Sequence, residues 1–363
     1  MSEENKQLKK LLNQKNPKWT KRRKIQLVAL ISSFVILLAL LFPLPYYLER
    51  PGTTENVAPM VEVAGKEDRQ SGGFYLTTVA VSKASALTML LAKTQPFVEI
   101  MKDEEVTGGA SDAEYNRINQ FYMENAQNTA IYEAFKLANK PFELKYEGVY
   151  VLDISDKSTF KDKLHVADTI TKVNGKSFKS STELIDYMSS QKVGDSVKIS
   201  FVEDKENKEA TGKIIKLDNG KSGIGITLTN HTSISSNPKA TINAGSIGGP
   251  SAGLMFTLET YEQLTDENLR KGREIAGTGT IEIDGTVGRI GGIDKKVATA
   301  DKSGAEIFFA PDDEITADMK KADPNIKTNY QEALAAGKKI NTKMKIVPVK
   351  NVEDALKYLR KLK

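Results

Sequence analysis

One serine in this chain has the surroundings of a nucleophile. Gly248, Gly249 and Pro250 precede Ser251, and Ala252 follows it. The glycines allow a tight bend and Pro250 suits the first position of a helix, so we expect Ser251 in the first helical turn. Unpaired backbone N–H groups and the positive end of the helix dipole favour an oxyanion there. The same residues are also typical of an ordinary loop that leads into a capped helix, and the motif alone does not separate the two interpretations.

A serine nucleophile needs a base, and the chain offers few histidines for that role. The two that it has are His165, which lies in a β-rich region, and His231, which lies in a polar run typical of a solvated loop. Because burial disfavours an ammonium group, a lysine of lowered pKa is the remaining type of base.

The lysines that best fit this role open a predicted helix. Lys295 and Lys296 follow Asp294, which we expect to cap that helix, and Lys296 shares a helix face with Ala300. If Val297 and Ala300 pack inward, Lys296 points to the interior. The alternative, two exposed lysines at a helix start, stays open at this point because lysine is rarely buried.

Composition narrows the class of protein. With 363 residues and 39% hydrophobic content, the chain is long enough for two or three packed domains. Residues 1–24 hold nine basic and two acidic side chains, so the net charge of +5 arises in the tail and does not indicate a nucleic-acid partner. The chain has no cysteine, which excludes disulfides, cysteine zinc sites and a thiol nucleophile. We expect no metal and no cofactor.

The N-terminal region predicts a membrane anchor. A basic tail, residues 1–24, precedes Ile25–Leu48, a stretch without charge and longer than the roughly 20 residues that cross a bilayer. Trp19 on one side and Tyr46 and Tyr47 on the other resemble interfacial anchors. The positive-inside rule then leaves the tail in the cytoplasm and sends residues 49–363 outside. A signal peptide is the alternative, but the apolar stretch is long and no clear cleavage pattern follows it.

The next two regions differ in their predicted secondary structure. In residues 49–140 we predict a strand at Phe74–Val81 and a helix that a capping box, Ser111 to Glu114, opens and that runs to about Asn139. Residues 141–218 predict short strands, a turn and one helix. The strands are expected at Val149–Leu152, Ile170–Val173 and Ser196–Phe201, and the helix at Ser181–Ser190.

Residues 141–218 resemble a bacterial PDZ domain. The resemblance rests on Tyr146–Val151, on Ala167–Ile170 with Val173–Gly175, and on Val193–Val197. PDZ domains capture an extended peptide as an added strand. The resemblance implies a binding loop at Glu147, Gly148 and Val149 and a groove between the strand at Val149–Leu152 and the helix at Ser181–Ser190. A packing module without a ligand is the alternative.

Residues 219–363 predict alternating strands and helices. The expected elements are a strand at Ile224–Leu228, the helix after Ser251, a hairpin around Asp284 and Gly285, a helix that ends near Ser303, strands at Ile307–Ala310 and Lys345–Val349, and helices at Gln331–Ala336 and Val352–Leu362.

This last region resembles the proteolytic domain of Lon-type serine peptidases. The resemblance rests on Gly248–Gly253, on Thr278 with Gly279, and on Gly291–Lys296. It implies Ser251 as the nucleophile and Lys296 as its base, with Thr278 supporting the lysine and Gly248, Gly249, Pro250 and Ala252 forming the nucleophile loop. In ATP-dependent Lon an acidic residue precedes the Gly-Pro-Ser sequence, and Gly248 stands there in this chain.

Together the resemblances indicate an α+β protein similar to the cell-surface, PDZ-containing Lon-like proteases of Gram-positive bacteria. They imply a Lon-type domain, formed by residues 49–140 and 219–363, with an inserted PDZ-like module. Gly175-Lys176-Ser177 and Gly220-Lys221-Ser222 lack the first glycine of a phosphate-binding loop. We therefore expect an ATP-independent Ser-Lys endopeptidase that cleaves peptides or unfolded protein segments outside the cell. The alternative function is a non-catalytic, anchored peptide-binding scaffold.

Overall fold

The computed structural model describes residues 20–65, 68 and 70–363. The predicted anchor Trp19 and nearly all of the basic tail lie outside the described residues. The described helices are α1 (Lys21–Leu41), α2 (Ala86–Ala92), α3 (Asp103–Thr107), α4 (Asp112–Leu137), α5 (Ser181–Ser189), α6 (Gly253–Thr265), α7 (Ile293–Lys302), α8 (Ala317–Ala322), α9 (Asn329–Ile340) and α10 (Val352–Arg360). The longer strands are β1 (Pro43–Asn56), β3 (Gly73–Ser85), β5 (Phe142–Ile154), β7 (Ser196–Glu203), β8 (Glu206–Lys213) and β11 (Ile226–Ser236). The shorter strands are β2 (Val61–Val63), β4 (Glu99–Lys102), β6 (Thr169–Val173), β9 (Ile215–Lys216), β10 (Ser222–Gly223), β12 (Ala240–Ile242), β13 (Glu274–Gly277), β14 (Thr280–Ile281), β15 (Val287–Gly288), β16 (Ile307–Pro311) and β17 (Lys345–Val349).

The apolar helix α1 is shorter than the stretch predicted to cross the membrane. It has 21 residues and a mean hydropathy of 2.3 in its most apolar window, and its side chains are exposed. A helix of that length spans about 31 Å. It ends at Leu41, so the predicted boundary at Leu48 is wrong, and Tyr47 is a buried residue of β1 that hydrogen-bonds to Asp112. The helix has the length and composition of a membrane span, which a signal sequence shares.

A six-stranded mixed sheet forms the centre of the larger unit. Its order is β17-β16-β13-β3-β1-β4, with parallel pairing from β17 to β3 and antiparallel pairing from β3 to β4. Side chains of a strand alternate between the two faces. Accordingly, Phe309 of β16 packs into the cluster that contains α6 and α10, whereas its neighbour Phe308 packs against α7 and α9. Both faces are covered by helices, and α6 and α7 therefore lie on opposite faces of one sheet.

A five-stranded sheet forms the second unit. Its order is β11-β5-β6-β7-β8, all antiparallel, and its core cluster extends from Val149 to Ile224 with Leu184 and Met188 of α5 inside. The chain enters this sheet from α4 and leaves it along β11, which leads through β12 to the loop that contains Ser251.

Most predicted elements are present with longer or shorter bounds. The capping box at Ser111 is formed, with the Ser111 hydroxyl accepting from the Glu114 N–H, and it opens a helix of 26 residues. Asp284 and Gly285 lie in the turn of the β14–β15 hairpin, as predicted. Both Gly-Lys-Ser sequences lie in turns, because the N–H of Lys176 bonds to the Val173 carbonyl and that of Gly220 to the Leu217 carbonyl.

Candidate active site

Ser251 lies just before a helix and not within its first turn. Helix α6 begins at Gly253 with Ala252 as its N-cap, so the prediction that Pro250 opens the helix is wrong. A tight turn forms first: the Gly253 N–H reaches the Pro250 carbonyl at 3.3 Å. Within the part of the chain described, the backbone N–H groups of Ser251 and Ala252 have no acceptor. They are therefore free to bind a negative charge beside the Ser251 hydroxyl.

The glycines before Ser251 allow the loop to approach helix α4. Gly249 has a φ of +85°, which favours glycine, and its N–H donates to the Asn119 carbonyl at 2.7 Å. A Cβ placed on Gly248 would lie 3.0 Å from the Cβ of Asn119. A side chain at position 248 would therefore crowd α4, which would have to shift to admit it.

Lys296 reaches the serine from the opposite face of the sheet. Helix α7 begins at Ile293 after Gly292, whose left-handed conformation forms the N-cap, so the predicted cap at Asp294 is wrong. Lys296 is 3% exposed, and its Nζ lies 2.7 Å from the Ser251 Oγ. Of the two open interpretations of these lysines, the structure supports the buried one.

Two threonines complete the surroundings of the Lys296 amine. Its Nζ lies 3.2 Å from the Thr278 Oγ1 and 2.8 Å from the Thr77 carbonyl oxygen. The Thr278 hydroxyl donates to the Ser251 carbonyl at 3.0 Å, so it contacts both residues. Sequence reasoning missed Thr77, and no signal in the sequence could have found it, because its backbone carbonyl contributes and its side chain does not.

Adjacent lysines on α7 have opposite electrostatic environments. Burial lowers the pKa of Lys296 from 10.5 to about 7, and the carboxylate of Glu49 opposes this shift. Burial also lowers the pKa of Lys295, but Glu99, Glu49 and Asp294 raise it by more, so that its pKa lies above the ordinary value. Its Nζ lies 2.9 Å from Glu99 and 3.1 Å from Glu49. Lys295 is therefore held as an ammonium, whereas a large fraction of Lys296 is neutral at pH 7.

A cavity of about 830 Å³ opens onto the Ser251 hydroxyl. Its walls come from β3, from α4, from the Ser251 loop and from the turn before α7. Strand β3 pairs with β13 only as far as Leu76. From Thr77 onward that edge of β3 has no partner strand among the described residues and lines the cavity with Thr77, Val79 and Val81. The cavity therefore joins a nucleophile to a free strand edge.

The predicted peptide-binding loop lies away from this cavity, in the five-stranded sheet. Glu147 accepts from Ser233 at 2.6 Å, and Gly148 and Val149 pair with β11. Val149 also pairs with β6 on its other side. Because both edges of β5 are occupied there, a peptide cannot add to this strand, and the predicted groove position is wrong. Among the described residues, the outer strand of this sheet beside helix α5 is β11, where the Ser181 N–H donates to the Asn230 side chain at 2.7 Å.

Helix α4 connects the two units. The ring of Phe121 stacks on Tyr150 of β5 with centroids 3.6 Å apart and meets His231 of β11 edge-on at 5.4 Å. Two residues earlier on the same helix, the Asn119 carbonyl holds the N–H of Gly249. Contacts with the five-stranded sheet and with the Ser251 loop are thus made within one helical turn.

Neither histidine contacts the Ser251 hydroxyl among the hydrogen bonds of the described residues. His231 bonds to Thr169 at 2.8 Å, and His165 lies 2.7 Å from Glu203. His165, Asp168 and Glu203 place one ligand atom each within 4.8 Å of one another, a group that sequence analysis did not foresee. Lys208 already pairs with Glu203 and neutralises part of that negative charge.

Two family models match the chain. The model for the Lon protease (S16) C-terminal proteolytic domain matches residues 205–361, and the model for the PDZ domain matches residues 126–214. The Lon protease of Rickettsia bellii is 29% identical over 119 residues, which are 32% of this chain and 13% of that protein. The Lon protease of Aster yellows witches'-broom phytoplasma is 26% identical over 106 residues, or 29% of this chain and 11% of that protein. The matches thus span only about an eighth of the length of these curated relatives.

Two solved structures of PDZ domains are similar to part of the chain. The PDZ domain of an SdrC-like protein from Listeria monocytogenes is 45% identical, covers 24% of this chain and 92% of its own, and has a TM-score of 0.23. The PDZ domain of an SdrC-like protein from Listeria innocua is 45% identical, covers 23% of this chain and 96% of its own, and has a TM-score of 0.22. Over residues 126–361 the chain is thus similar first to a PDZ domain and then to the C-terminal proteolytic domain of the Lon protease (S16) family.

Proposed function

We propose that this protein is an ATP-independent, membrane-anchored serine endopeptidase with Ser251 as nucleophile and Lys296 as general base. The observation that carries the proposal is the 2.7 Å contact between the Lys296 Nζ and the Ser251 Oγ in a buried setting that lowers the lysine pKa to about 7. A base is most effective when its pKa lies near the working pH.

The contacts of Lys296 fit a neutral amine. A neutral amine has two N–H groups and one lone pair. The Thr77 carbonyl and the Thr278 hydroxyl oxygen accept the two N–H groups, because the Thr278 hydroxyl proton is already donated to the Ser251 carbonyl. The lone pair is then left for the proton of the Ser251 hydroxyl.

The proposed reaction is acyl transfer in two steps. Lys296 takes the proton of Ser251 while the Oγ attacks the peptide carbonyl carbon, and the N–H groups of Ser251 and Ala252 bind the oxyanion. The lysine gives its proton to the leaving amine, and the peptide C–N bond breaks. In the second step Lys296 takes a proton from water, the hydroxide attacks the acyl carbon, and the Ser251 oxygen leaves with the proton. One oxyanion donor is worth on the order of 3 kcal/mol of the barrier.

The free edge of β3 supports an extended, unfolded substrate. The Thr77 carbonyl points into the site, so by the alternation of a strand Val79 and Val81 present their backbone groups to the same side. A peptide in extended form can pair with them and carry its scissile bond past Ser251. N-methylation of one substrate amide at a time should therefore slow cleavage in an alternating pattern, and a uniform effect would contradict this mode of binding.

The PDZ unit is proposed to present peptides through the outer edge of β11. That edge lies beside α5, whose Ile185 is an exposed apolar residue. Ile185→Asp should weaken binding of a fluorescent peptide substrate, whereas Val193→Asp, an exposed apolar position outside the helix, should not. Equal binding by both variants would count against a groove at α5.

The proposed location is the membrane, with α1 as the anchor. The basic residues that precede and open α1 favour the cytoplasmic side, which sends the catalytic unit to the outside. No ATP supply is expected there, which fits an enzyme that takes flexible substrates. Protease protection of the tail and accessibility of the catalytic unit in intact cells test this topology.

A serine-reactive phosphonate probe tests the catalytic assignment. We expect labelling at Ser251 in the parent and in Lys302→Met, a matched control with an exposed lysine on the same helix, and none in Lys296→Met or Ser251→Ala. Cleavage of unstructured peptides, located by mass spectrometry, should follow the same order. A folded parent that binds peptides but is not labelled would favour the scaffold.

A further inference from the structure

Helix α2 carries an exposed apolar surface. Leu90 and Leu91 are 64% and 49% exposed, while Ala92 at the end of the helix is buried against β1. Outside α1 and Phe42, Leu90 has the largest exposed fraction of any large hydrophobic side chain in the part of the chain that the structure describes. Single exposed leucines are ordinary, but two adjacent ones beside another apolar surface need an explanation.

The position of α2 supplies that second surface. Pro43, the first residue of β1, pairs with Ser85, and α2 begins at the next residue, Ala86. Helix α1 ends at Leu41, and α1 and α2 are in contact. Phe42, the one residue between α1 and β1, is 67% exposed. The exposed leucines of α2 therefore lie on a short helix that contacts the apolar helix α1.

We propose that Leu90 and Leu91 insert into the bilayer beside α1 and seat the catalytic unit directly on the membrane. The proposal rests on the anchor role of α1 in the proposed function. The partner is lipid, because α1, which α2 contacts, is itself long enough for a bilayer and has no buried residue. Lys93 follows α2 directly and is exposed, as suits a residue at the level of the headgroups.

This seating limits how far from the membrane the active-site cavity lies. Glu49 lines the active-site cavity, six residues after Pro43 along β1. At about 3.4 Å per residue, that stretch of strand is roughly 20 Å long. The substrate class that follows is an unfolded segment within about 20 Å of the membrane surface, such as the stretch next to a transmembrane helix or a chain leaving the membrane.

Spin labels on the full-length chain in liposomes test the seating. The chain has no cysteine, so Leu90→Cys and Leu91→Cys can each be labelled alone with a nitroxide. Val193→Cys and Ile283→Cys are matched controls, because these side chains are 57% and 60% exposed in other parts of the fold. Val35→Cys in α1 reports on the anchor itself. The measurement compares collision of each label with oxygen, which enters lipid, and with a water-soluble nickel chelate.

We expect the labels at 90, 91 and 35 to collide preferentially with oxygen, and those at 193 and 283 with nickel. Labels at 90 and 91 that behave as those at 193 and 283, while the label at 35 reports lipid, would overturn the seating and leave the anchor intact. A label at 35 that reports water would overturn the anchor and the seating with it. Hydrolysis of a soluble peptide at the parental rate shows that each labelled protein is folded.

Discussion

The pH dependence of Ser251 reactivity tests the proposed base most directly. With a Lys296 pKa of about 7, half of the amine is neutral near that pH. Below it the neutral fraction falls about tenfold per pH unit, to roughly one tenth at pH 6 and one hundredth at pH 5. A lysine with the ordinary pKa of 10.5 would have only about one neutral molecule in three thousand at pH 7. The two cases differ by a factor of more than a thousand.

The assay is the rate constant for labelling of Ser251 by the phosphonate probe between pH 5 and pH 9, with the full chain in detergent micelles. We expect a single protonation with its midpoint near pH 7, and the same midpoint for kcat/KM with an unstructured peptide. A rate that still rises about tenfold per pH unit up to pH 9, or one that does not change between pH 5 and pH 9, would refute Lys296 as the base.

Removing the charge of Glu49 should shift the midpoint of the pH profile in a known direction. The Glu49 carboxylate raises the pKa of Lys296, so Glu49→Gln should lower that pKa and move the midpoint to lower pH. Lys295 keeps two carboxylates, Glu99 and Asp294, in this variant. Glu104→Gln, at an exposed position, should leave the midpoint where it is.

Three further predictions concern the same network. Thr278→Val should lower kcat/KM by roughly tenfold to a hundredfold, because the Thr278 hydroxyl bonds to both Lys296 and the Ser251 carbonyl. Thr278→Ser should recover most of the lost kcat/KM. Equal kcat/KM values for Thr278→Val and the parent would contradict a supporting role for this hydroxyl. Gly248→Asp should push the loop away from Asn119 and lower labelling of Ser251 in a protein that still melts cooperatively. Because the folded pKa of Lys296 lies below its unfolded value, the parent loses stability as pH falls from 10.5 to about 7. Lys296→Met escapes this loss and should gain about 2 kcal/mol relative to the parent between pH 9 and pH 7, measured by urea unfolding.

The sequence predicted most residues of the candidate site, but it did not fully decide between neighbouring candidates for the base. Spacing and resemblance pointed to Ser251, Thr278 and Lys296, which the structure brings into one hydrogen-bond network, although their catalytic roles stay predictions. The residues alone favoured Lys296 over Lys295 only through its helix face, on the condition that Val297 and Ala300 pack inward. That choice depends on which lysine meets carboxylates such as Glu49, and Glu49 lies almost 250 residues earlier in the chain.

The errors in the predicted fold also arise because segments that are distant in the sequence pack against each other. Hydropathy extended the membrane helix to Leu48 because an apolar residue that faces a protein core looks like one that faces lipid, and Leu48 is buried in the fold. The resemblance to a PDZ domain placed the peptide groove at Val149–Leu152, and the local sequence pattern shows that strand but not its neighbours. β11, which occupies that edge, lies about 80 residues later in the chain.

Because α4 contacts both units, a movement of this helix would link the ligands of the two units thermodynamically. Asn119 holds the Ser251 loop, and Phe121, two residues later, lies on Tyr150 and His231 of the PDZ sheet. If a peptide on β11 shifts α4 and changes the affinity of Ser251 for a reversible inhibitor, that inhibitor must change the affinity for the peptide by the same factor. The binding of a peptide to β11 and the binding of an inhibitor to Ser251 would then be coupled. Either affinity could be measured to determine the coupling factor.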